Sequence, residues 1–414
     1  VLTLDGDYET GQLYVTEVND EDGHVSYEFK NKLGQLLLVR KMAGSTAHDT
    51  YYIYDDFGNL CFVLSPRIQD KETPNEGITQ DVLDKFAYQY KYDGRQRCIA
   101  KKLPGCEWMY YIYDKAGRLI FSQDGNQRQA GEWMFSIPDL FGNECLSGVC
   151  LNELDAFATP LDSTVVTADW NMGDSSSPSF VTDEKTYKGY RVSGVFLVSP
   201  IVLRVNYYHD YSFLGRNGIP AETDTRVCYD ADAVSEGYGK CYTASARGLL
   251  TGTLTVQLAS NTHTELDAST DAMPYVYSVM YYDNHGRRIQ TKSGNHLSGG
   301  VESEYLAYDF TGQMTQRKHI HSATGKPVQA EVYVYEYDHD GRLLTTMHQL
   351  NGGVAATLAD NKYDELGRLA SNKRNGQASL KTDYSYNVRS WLTSVSSPLF
   401  SQHLHYTDGI GTPC

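Results

Sequence analysis

The stretch that decides the fold is Tyr113-Asp114-Lys115-Ala116-Gly117-Arg118-Leu119. It returns as Tyr54-Asp55-Asp56-Phe57-Gly58-Asn59-Leu60, and as Tyr282-Asp283-Asn284-His285-Gly286-Arg287-Arg288-Ile289 with one extra Arg. Further copies are Tyr308-Asp309-Phe310-Thr311-Gly312-Gln313-Met314, Tyr337-Asp338-His339-Asp340-Gly341-Arg342-Leu343 and Tyr363-Asp364-Glu365-Leu366-Gly367-Arg368-Leu369. From Tyr282 onward the tyrosines stand 26, 29 and 26 residues apart. Self-similarity at such a period is the mark of a repeat architecture. Weaker copies extend the array. Tyr92-Asp93-Gly94-Arg95 reads as a shortened turn, Pro138-Asp139-Leu140-Phe141-Gly142-Asn143 lacks the Tyr, and Lys30-Asn31-Lys32-Leu33-Gly34-Gln35-Leu36 puts Asn for Asp. Asn19-Asp20-Glu21-Asp22-Gly23 shares the turn chemistry, and Tyr386-Asn387-Val388-Arg389 reads as a terminal variant.

Each unit reads as a β-hairpin. The residues before the turn alternate, as in Tyr333-Val334-Tyr335-Glu336-Tyr337 and Tyr88-Gln89-Tyr90-Lys91-Tyr92. A period of two puts those rings on one face of a strand. The Asp carboxylate accepts backbone N–H bonds and starts the turn. Gly, four residues after the Tyr, supplies a positive φ at little cost. The chain then returns as Arg-Leu, and the Arg can lie over a neighbouring Tyr ring or pair with an Asp. No sustained 3.6-residue apolar stripe competes with this reading. The fold class expected is therefore all-β, with consecutive antiparallel hairpins forming a curved sheet or partial shell.

Composition agrees. The 414 residues include 33 Tyr and 36 Gly but 12 Pro, which suits strands joined by tight turns. The net charge of −16 disfavours general affinity for nucleic acid or anionic membrane, because phosphate contacts need Lys and Arg. The stretch from Tyr275 to His405 is near neutral, with 13 Lys and Arg against 12 Asp and Glu. No apolar run approaches the ~20 residues of a membrane helix. The eight cysteines include no Cys-x-x-Cys pair. Cys145 with Cys150, or Cys98 with Cys106, can pair if a hairpin brings them together. The sequence starts at Val1 without a leader, so a targeting signal is expected upstream.

Three regions follow: N-terminal hairpins over 1–145, a divergent β region or insert over 146–273, and C-terminal hairpins over 274–414. In the middle, Asp169 to Glu184 is rich in Ser and Asp and reads as a loop. Strand-like runs cover Tyr190 to Val198, Ile201 to Tyr208 and Leu249 to Leu258. They are either an insert sheet or divergent hairpins that continue the array.

The Tyr-Asp-x-x-Gly-Arg-Leu units resemble the YD repeats of Rhs proteins. Arg97-Cys98-Ile99-Ala100-Lys101-Lys102-Leu103-Pro104-Gly105-Cys106, Asp114 through Asp124, and Tyr386-Asn387-Val388-Arg389-Ser390-Trp391-Leu392 look like Rhs-family proteins of Bacteroides-type bacteria. The resemblance covers both arms. It implies a strip of hairpins that winds into a shell, often around a C-terminal toxin cargo. It also implies a secreted or cell-surface bacterial protein. The Asp-Pro segment that in several such proteins supports self-cleavage has no counterpart here, so the chain is expected to be either a piece without the core and toxin or a degenerate member that never had cargo.

Sites of chemistry were weighed against plainer readings. His319-Ile320-His321 and His403-Leu404-His405 each put two imidazoles on one strand face, where two Zn²⁺ ligands are possible and a third is needed. Solvent-facing histidines are the simpler reading. Asp338-His339-Asp340-Gly341 and Asn19 to Gly23 are similar to calcium loops but lack the downstream Glu. Glu302 and Glu304 read as a solvated face. No Gly-x-Ser-x-Gly, phosphate-binding or dinucleotide-binding motif occurs; His403, His405 and Cys414 in the tail complete the search for a nucleophile. The expectation is no enzyme, no metal and no cofactor. Tyr stripes stabilise sheets, by roughly 0.2–1 kcal/mol per cross-strand pair. Exposed rings can alternatively stack on sugars, so glycans are a second possible partner beside the chain's own remainder or a toxin. Trp108, Trp133, Trp170 and Trp391 are too scattered for a platform.

Overall fold

The computed structural model describes residues 6, 8–20, 23–68, 78–170, 186–242, 246–257 and 275–406. They form two compact units, the first ending at Leu203 and the second starting at Arg204. Both are built almost wholly from antiparallel strands.

In the first unit the chain meanders through β1 (Tyr14–Asn19), β2 (Val25–Lys30), β3 (Leu36–Ala43), β4 (Thr46–Tyr54), β5 (Leu60–Leu64), β6 (Ala87–Tyr92), β7 (Cys98–Lys102), β8 (Met109–Tyr113), β9 (Leu119–Gln123), β10 (Trp133–Pro138) and β11 (Glu144–Cys150). Each strand pairs with the next. Two short helices, α1 (Gln80–Phe86) and α2 (Gly125–Ala130), fill connections. A small sheet of β12 (Thr167–Trp170), β13 (Thr186–Tyr187) and β14 (Tyr190–Ser193) follows. The core lies where the segment after β11 covers the main sheet: Phe121, Phe135, Ile137, Leu146 and Val166 are sealed there.

The second unit repeats the meander. It runs from β15 (Ile201–Tyr208), paired from Arg204, through β16 (Leu250–Val256), β17 (Tyr275–Tyr282), β18 (Arg288–Gly294), β19 (Val301–Tyr308), β20 (Met314–Ser322), β21 (Gln329–Tyr337), β22 (Leu343–Leu350), β23 (Ala356–Tyr363), β24 (Leu369–Arg374), β25 (Lys381–Tyr386), β26 (Leu392–Ser397) and β27 (Phe400–His403). Its core lies under residues 210–242, which pack on the sheet through Phe213, Gly239 and Tyr238 and help seal Val205, Leu254, Val279 and Ile289. From β20 to β27 the strands are half-buried or exposed on both faces, and Ser371 is the one fully buried residue. In β20 Ile320 still packs beside Ala233 and Tyr238, and Lys318 pairs with Glu236; from β21 onward the sheet is a single layer. An isolated layer lacks the apolar face that normally holds a domain together, so its stability must come from lateral contacts between hairpins.

Several sequence readings change here. Tyr92-Asp93-Gly94-Arg95 is not shortened. The turn has full length, Gln96 occupies the glycine slot at φ +62°, and Arg97 rather than Arg95 pairs with Asp93. Glycine had moved two residues earlier, which disguised the register. The strand predicted over Tyr190 to Val198 stops at Ser193. Gly194 has φ +86°, and a Cβ there would stand 2.3 Å from the Val165 carbonyl oxygen, so the chain turns away. Cys145 and Cys150 lie on one strand five residues apart, a span of roughly 16 Å, and both are free thiols like Cys98 and Cys106. The run predicted over Leu249 to Leu258 forms β16 up to Val256, and Leu258 lies outside the described residues. Of the loop expected from Asp169 to Glu184, Asp169 and Trp170 end β12, and the rest lies outside the described residues.

The divergent middle also hides a repeat. Tyr208 pairs with Leu250 across a register shift, as Tyr54 does with Leu60 and Tyr337 with Leu343. His209 N–H donates to the Leu249 carbonyl at 3.1 Å, the bond that Asp makes elsewhere. Residues 210–248 thus stand where other turns carry three residues.

Candidate functional site

The repeat signature is one recurring device. In the turn after β4, Gly58 N–H donates to Asp55 O at 3.0 Å and Asp55 N–H to Asn59 O at 2.9 Å. The same two bonds close the turns at Asp93, Asp114, Asp283, Asp309, Asp338 and Asp364, with Gln96 donating in place of Gly at Asp93. A turn followed by a left-handed residue produces a bulge, and the register does shift at Tyr54, Tyr92, Tyr113, Tyr282, Tyr308, Tyr337 and Tyr363. One Asp oxygen accepts two turn N–H groups: Asp338 Oδ1 takes those of Asp340 and Arg342. The other oxygen takes the arginine. Arg97, Arg118, Arg287, Arg342 and Arg368 donate Nε to Asp93, Asp114, Asp283, Asp338 and Asp364 at 2.6–3.0 Å.

The same residues reach the adjacent hairpin. Arg97, Arg287, Arg342 and Arg368 lie over the rings of Tyr113, Tyr308, Tyr363 and Tyr386 at 4.8–5.1 Å. Arg97, Arg118, Arg287 and Arg368 also donate Nη1 to the carbonyl of Asp114, Asp139, Asp309 and Asn387 in the next turn. Gln313, where the Arg is missing, sends its amide to Gly341 O at 2.9 Å instead. Each tyrosine reaches back: Tyr92, Tyr113, Tyr308, Tyr337, Tyr363 and Tyr386 donate their hydroxyls to Leu60, Cys98, Arg288, Met314, Leu343 and Leu369 carbonyls at 2.9–3.0 Å. Tyr54 bonds Leu36 O at 3.2 Å, and Tyr282 bonds Leu250 O. The signature is a lateral interlock, with Arg pointing forward and Tyr pointing back.

The electrostatics match. Burial pushes the Asp114 carboxyl up, but Arg118 and the Arg118 and Val166 N–H groups more than offset this and hold it below its ordinary value. At Asp364 the Arg368 N–H leads the same lowering. Burial pushes the Tyr92 phenol up to about 12, so its hydroxyl keeps its proton and remains a donor.

One cluster lies outside the device. His319 and His321 share a face of β20, and Glu302 of β19 stands between them: His319 Nε2 is 2.9 Å from Glu302 Oε2 and His321 Nδ1 is 2.6 Å from Oε1. Asn295 donates to Oε1 at 2.7 Å. An open depression of about 320 Å³ is lined by these three with Gln329 and Glu331. Burial raises the Glu302 carboxyl, and Asn295 and the two imidazoles outweigh it to hold it low. Register reveals the partner that the sequence hid, because Glu302 faces His321 across the β19–β20 pair. Glu304, read with Glu302 as a solvated face, pairs with Arg288 and Arg317. Among the described residues no group of three or more His, Cys, Asp or Glu is set to hold a metal ion. His403 is exposed and Cys414 lies outside the described residues. Asp338 and its turn are occupied by Arg342 and backbone N–H groups, and Glu21 and Asp22 lie outside the described residues.

A third group sits under residues 210–248. Lys292 is buried and donates to the Tyr305 hydroxyl at 2.7 Å, and Tyr305 donates to Asp230 Oδ2 at 2.9 Å. Desolvation lowers the Lys292 ammonium pKa. Gln290 clips the Asp230 backbone by both its N–H and its carbonyl. These bonds fasten the inserted segment to the sheet. Of the tryptophans, Trp133 is buried, Trp108 lies under Lys91 at 4.7 Å, Trp170 meets Tyr190 edge-on, and Trp391 takes the Arg slot against Tyr406 at 5.0 Å. No helix among the described residues is long and apolar enough to cross a membrane.

No protein-family model and no curated protein matches the chain. Among solved structures it is similar to a crystal structure of TcdB2-TccC3-Cdc42, at 12% identity and TM-score 0.36 over 92% of this chain and 19% of that one. It is similar also to a structure of the Photorhabdus luminescens Tc holotoxin pore, at 13% identity and TM-score 0.37 over 90% of this chain and 16% of that one. A crystal structure of TcdB2-TccC3 gives 12% and 0.36, over 92% of this chain and 20% of that one. The chain spans about a fifth or less of the length of each.

Proposed function

We propose that the chain is a non-enzymatic structural scaffold, a wall segment of an Rhs-type shell that encloses or displays an effector outside the cell that makes it. The observation that carries this reading is the use of the signature side chains. Asp, Arg and Tyr are the residues a catalytic or binding site would draw on; here Asp closes its own turn and anchors the Arg, and Arg, where present, and Tyr hold the neighbouring hairpin. The resemblance of the units to YD repeats supplies the shell and the effector as the larger context. Glycan binding draws less support, since the Tyr faces at 113, 308, 363 and 386 are covered by guanidinium groups.

Small-angle scattering on the purified chain tests the reading. A wall segment gives a radius of gyration well above the ~22 Å of a compact globule of this length. A compact value would overturn it, and a glycan array would then decide whether the alternative stands.

A further inference from the structure

The pleat sorts β20 onto two faces. Ile320 packs beside Ala233 and Tyr238, so His319 and His321 on either side of it point to the opposite face. Register then brings a carboxylate to each of them. Glu302 is the cross-strand partner of His321 on β19, and Glu331 is that of His319 on β21. All four side chains line the open depression of about 320 Å³. Glu304, the other acid on this face of β19, is taken by Arg288 and Arg317.

One atom of this group is left unsatisfied. Glu302 Oε2 is buried and accepts no hydrogen bond among the described residues, although His319 Nε2 stands 2.9 Å away. That contact is a close approach without a directed N–H. The twin oxygen is well served: Oε1 takes the Asn295 amide at 2.7 Å and lies 2.6 Å from His321 Nδ1. A bare, buried carboxylate oxygen costs free energy and calls for a cation or a donor.

From this we propose that His319, His321 and Glu302 form a binding site for a divalent transition cation of the zinc class. The donor set selects the class. Two imidazole nitrogens and a carboxylate suit Zn²⁺, whereas Ca²⁺ and Mg²⁺ want oxygen throughout. The His-x-His pair was short of a third ligand in sequence, and register supplies it. As the side chains stand they are not set as ligands, because the imidazole nitrogens contact the carboxylate directly. Tetrahedral ligands with bonds of about 2.0–2.1 Å stand roughly 3.3 Å from one another, against the 2.9 and 2.6 Å found here. A cation therefore enters when the Glu302 carboxylate draws back by about 0.4–0.7 Å. The depression is open, which leaves room for that shift and for a water or Glu331 in the fourth position. Asn295 supports the site from outside: its amide holds Glu302, and its own Oδ1 is held by the Leu297 N–H at 2.8 Å, as metal-binding side chains are commonly steadied. Bound there, the ion ties β19 to β20 on the face opposite the one that Tyr238 covers. The proposal does not depend on the shell reading: a chain that scatters as a compact particle and still binds the ion would keep it.

The probe is Zn²⁺ alone, titrated by calorimetry into the full chain after dialysis against a chelator. One ion per chain is expected, with micromolar affinity. His321→Gln, and separately Glu302→Gln, should weaken binding at least tenfold. Replacing both His403 and His405 by Gln should leave it unchanged, which separates this site from the other His-x-His pair. Hydrogen exchange on the unsubstituted chain locates the ion without relying on any variant to fold. Zn²⁺ should slow exchange in β19 and β20, and Mg²⁺ at the same concentration should not. Absence of binding up to millimolar Zn²⁺ would overturn the proposal. So would binding undiminished in His321→Gln, or Zn²⁺ protection confined to other strands.

Discussion

Gly341→Ala is the sharpest probe of the turn device. Gly341 has φ +79°, and a Cβ there would stand 2.5 Å from Gln313 Nε2. A left-handed non-glycine residue costs about 1–2 kcal/mol. The Gln313 amide must also move, which breaks its bond to Gly341 O at 2.9 Å and costs about 1 kcal/mol. Alanine narrows the unfolded ensemble and returns roughly 0.4–1 kcal/mol. The net expectation is a loss of about 1–2 kcal/mol. Gly325→Ala in the same unit is the control, since φ is +73° but nothing lies within 4 Å. It should cost about 1 kcal/mol less. Urea denaturation followed by circular dichroism measures both, and an unchanged slope licenses comparison of midpoints. Equal losses would mean that Gln313 does not bridge the turns. No loss at Gly341 would refute the left-handed turn itself.

Gln96→Gly should stabilise the first unit by roughly 0.5 kcal/mol, because it relieves the αL cost and loses part of that to glycine's entropy; a lower thermal midpoint would argue against φ +62° at that position. Tyr337→Phe removes a 3.0 Å bond to Met314 O and should cost about 1 kcal/mol, with faster hydrogen exchange in β20 and β21; equal exchange would show the hydroxyl to be idle. Asp93, Asp114 and Asp283 titrate below their ordinary 3.8 in the folded chain, so the folded state binds fewer protons than the unfolded one. Their stabilisation is present above about pH 4 and is lost as pH falls through the lower folded values. Urea midpoints should therefore hold from pH 7 to 5 and fall below 4, and Asp114→Asn should lower the pH 7 value while flattening the fall.

The hairpins were legible because turn chemistry is local. Asp and Gly fix backbone geometry within five residues, and alternation of Tyr fixes the strand before them. Whatever depended on which hairpin meets which was less legible. The sequence placed Arg near Tyr or Asp without showing that one guanidinium serves both, on successive repeats. Glu302 stayed hidden as the partner of His319 and His321 because register, not spacing, joins residues 17 and 19 positions apart. Gln96 hid a normal turn behind a displaced glycine, and Tyr208 hid another behind the segment 210–248. In both cases the bonding pattern survived while the pattern of letters did not.

The Tyr208 turn shows what the hairpin design tolerates. The bonds that set its register sit at the base, between His209 and Leu249, and leave the tip unconstrained. Lengthening a loop from three residues to about 40 costs only about 2 kcal/mol in closure entropy, an amount that burying Phe213 and its neighbours readily offsets. Every tip of this kind is then an entry point for new sequence. Such a chain can acquire a recognition loop, a processing site or a whole folded domain at one hairpin without renegotiating the rest, and its lineage can diversify by grafting rather than by altering the sheet.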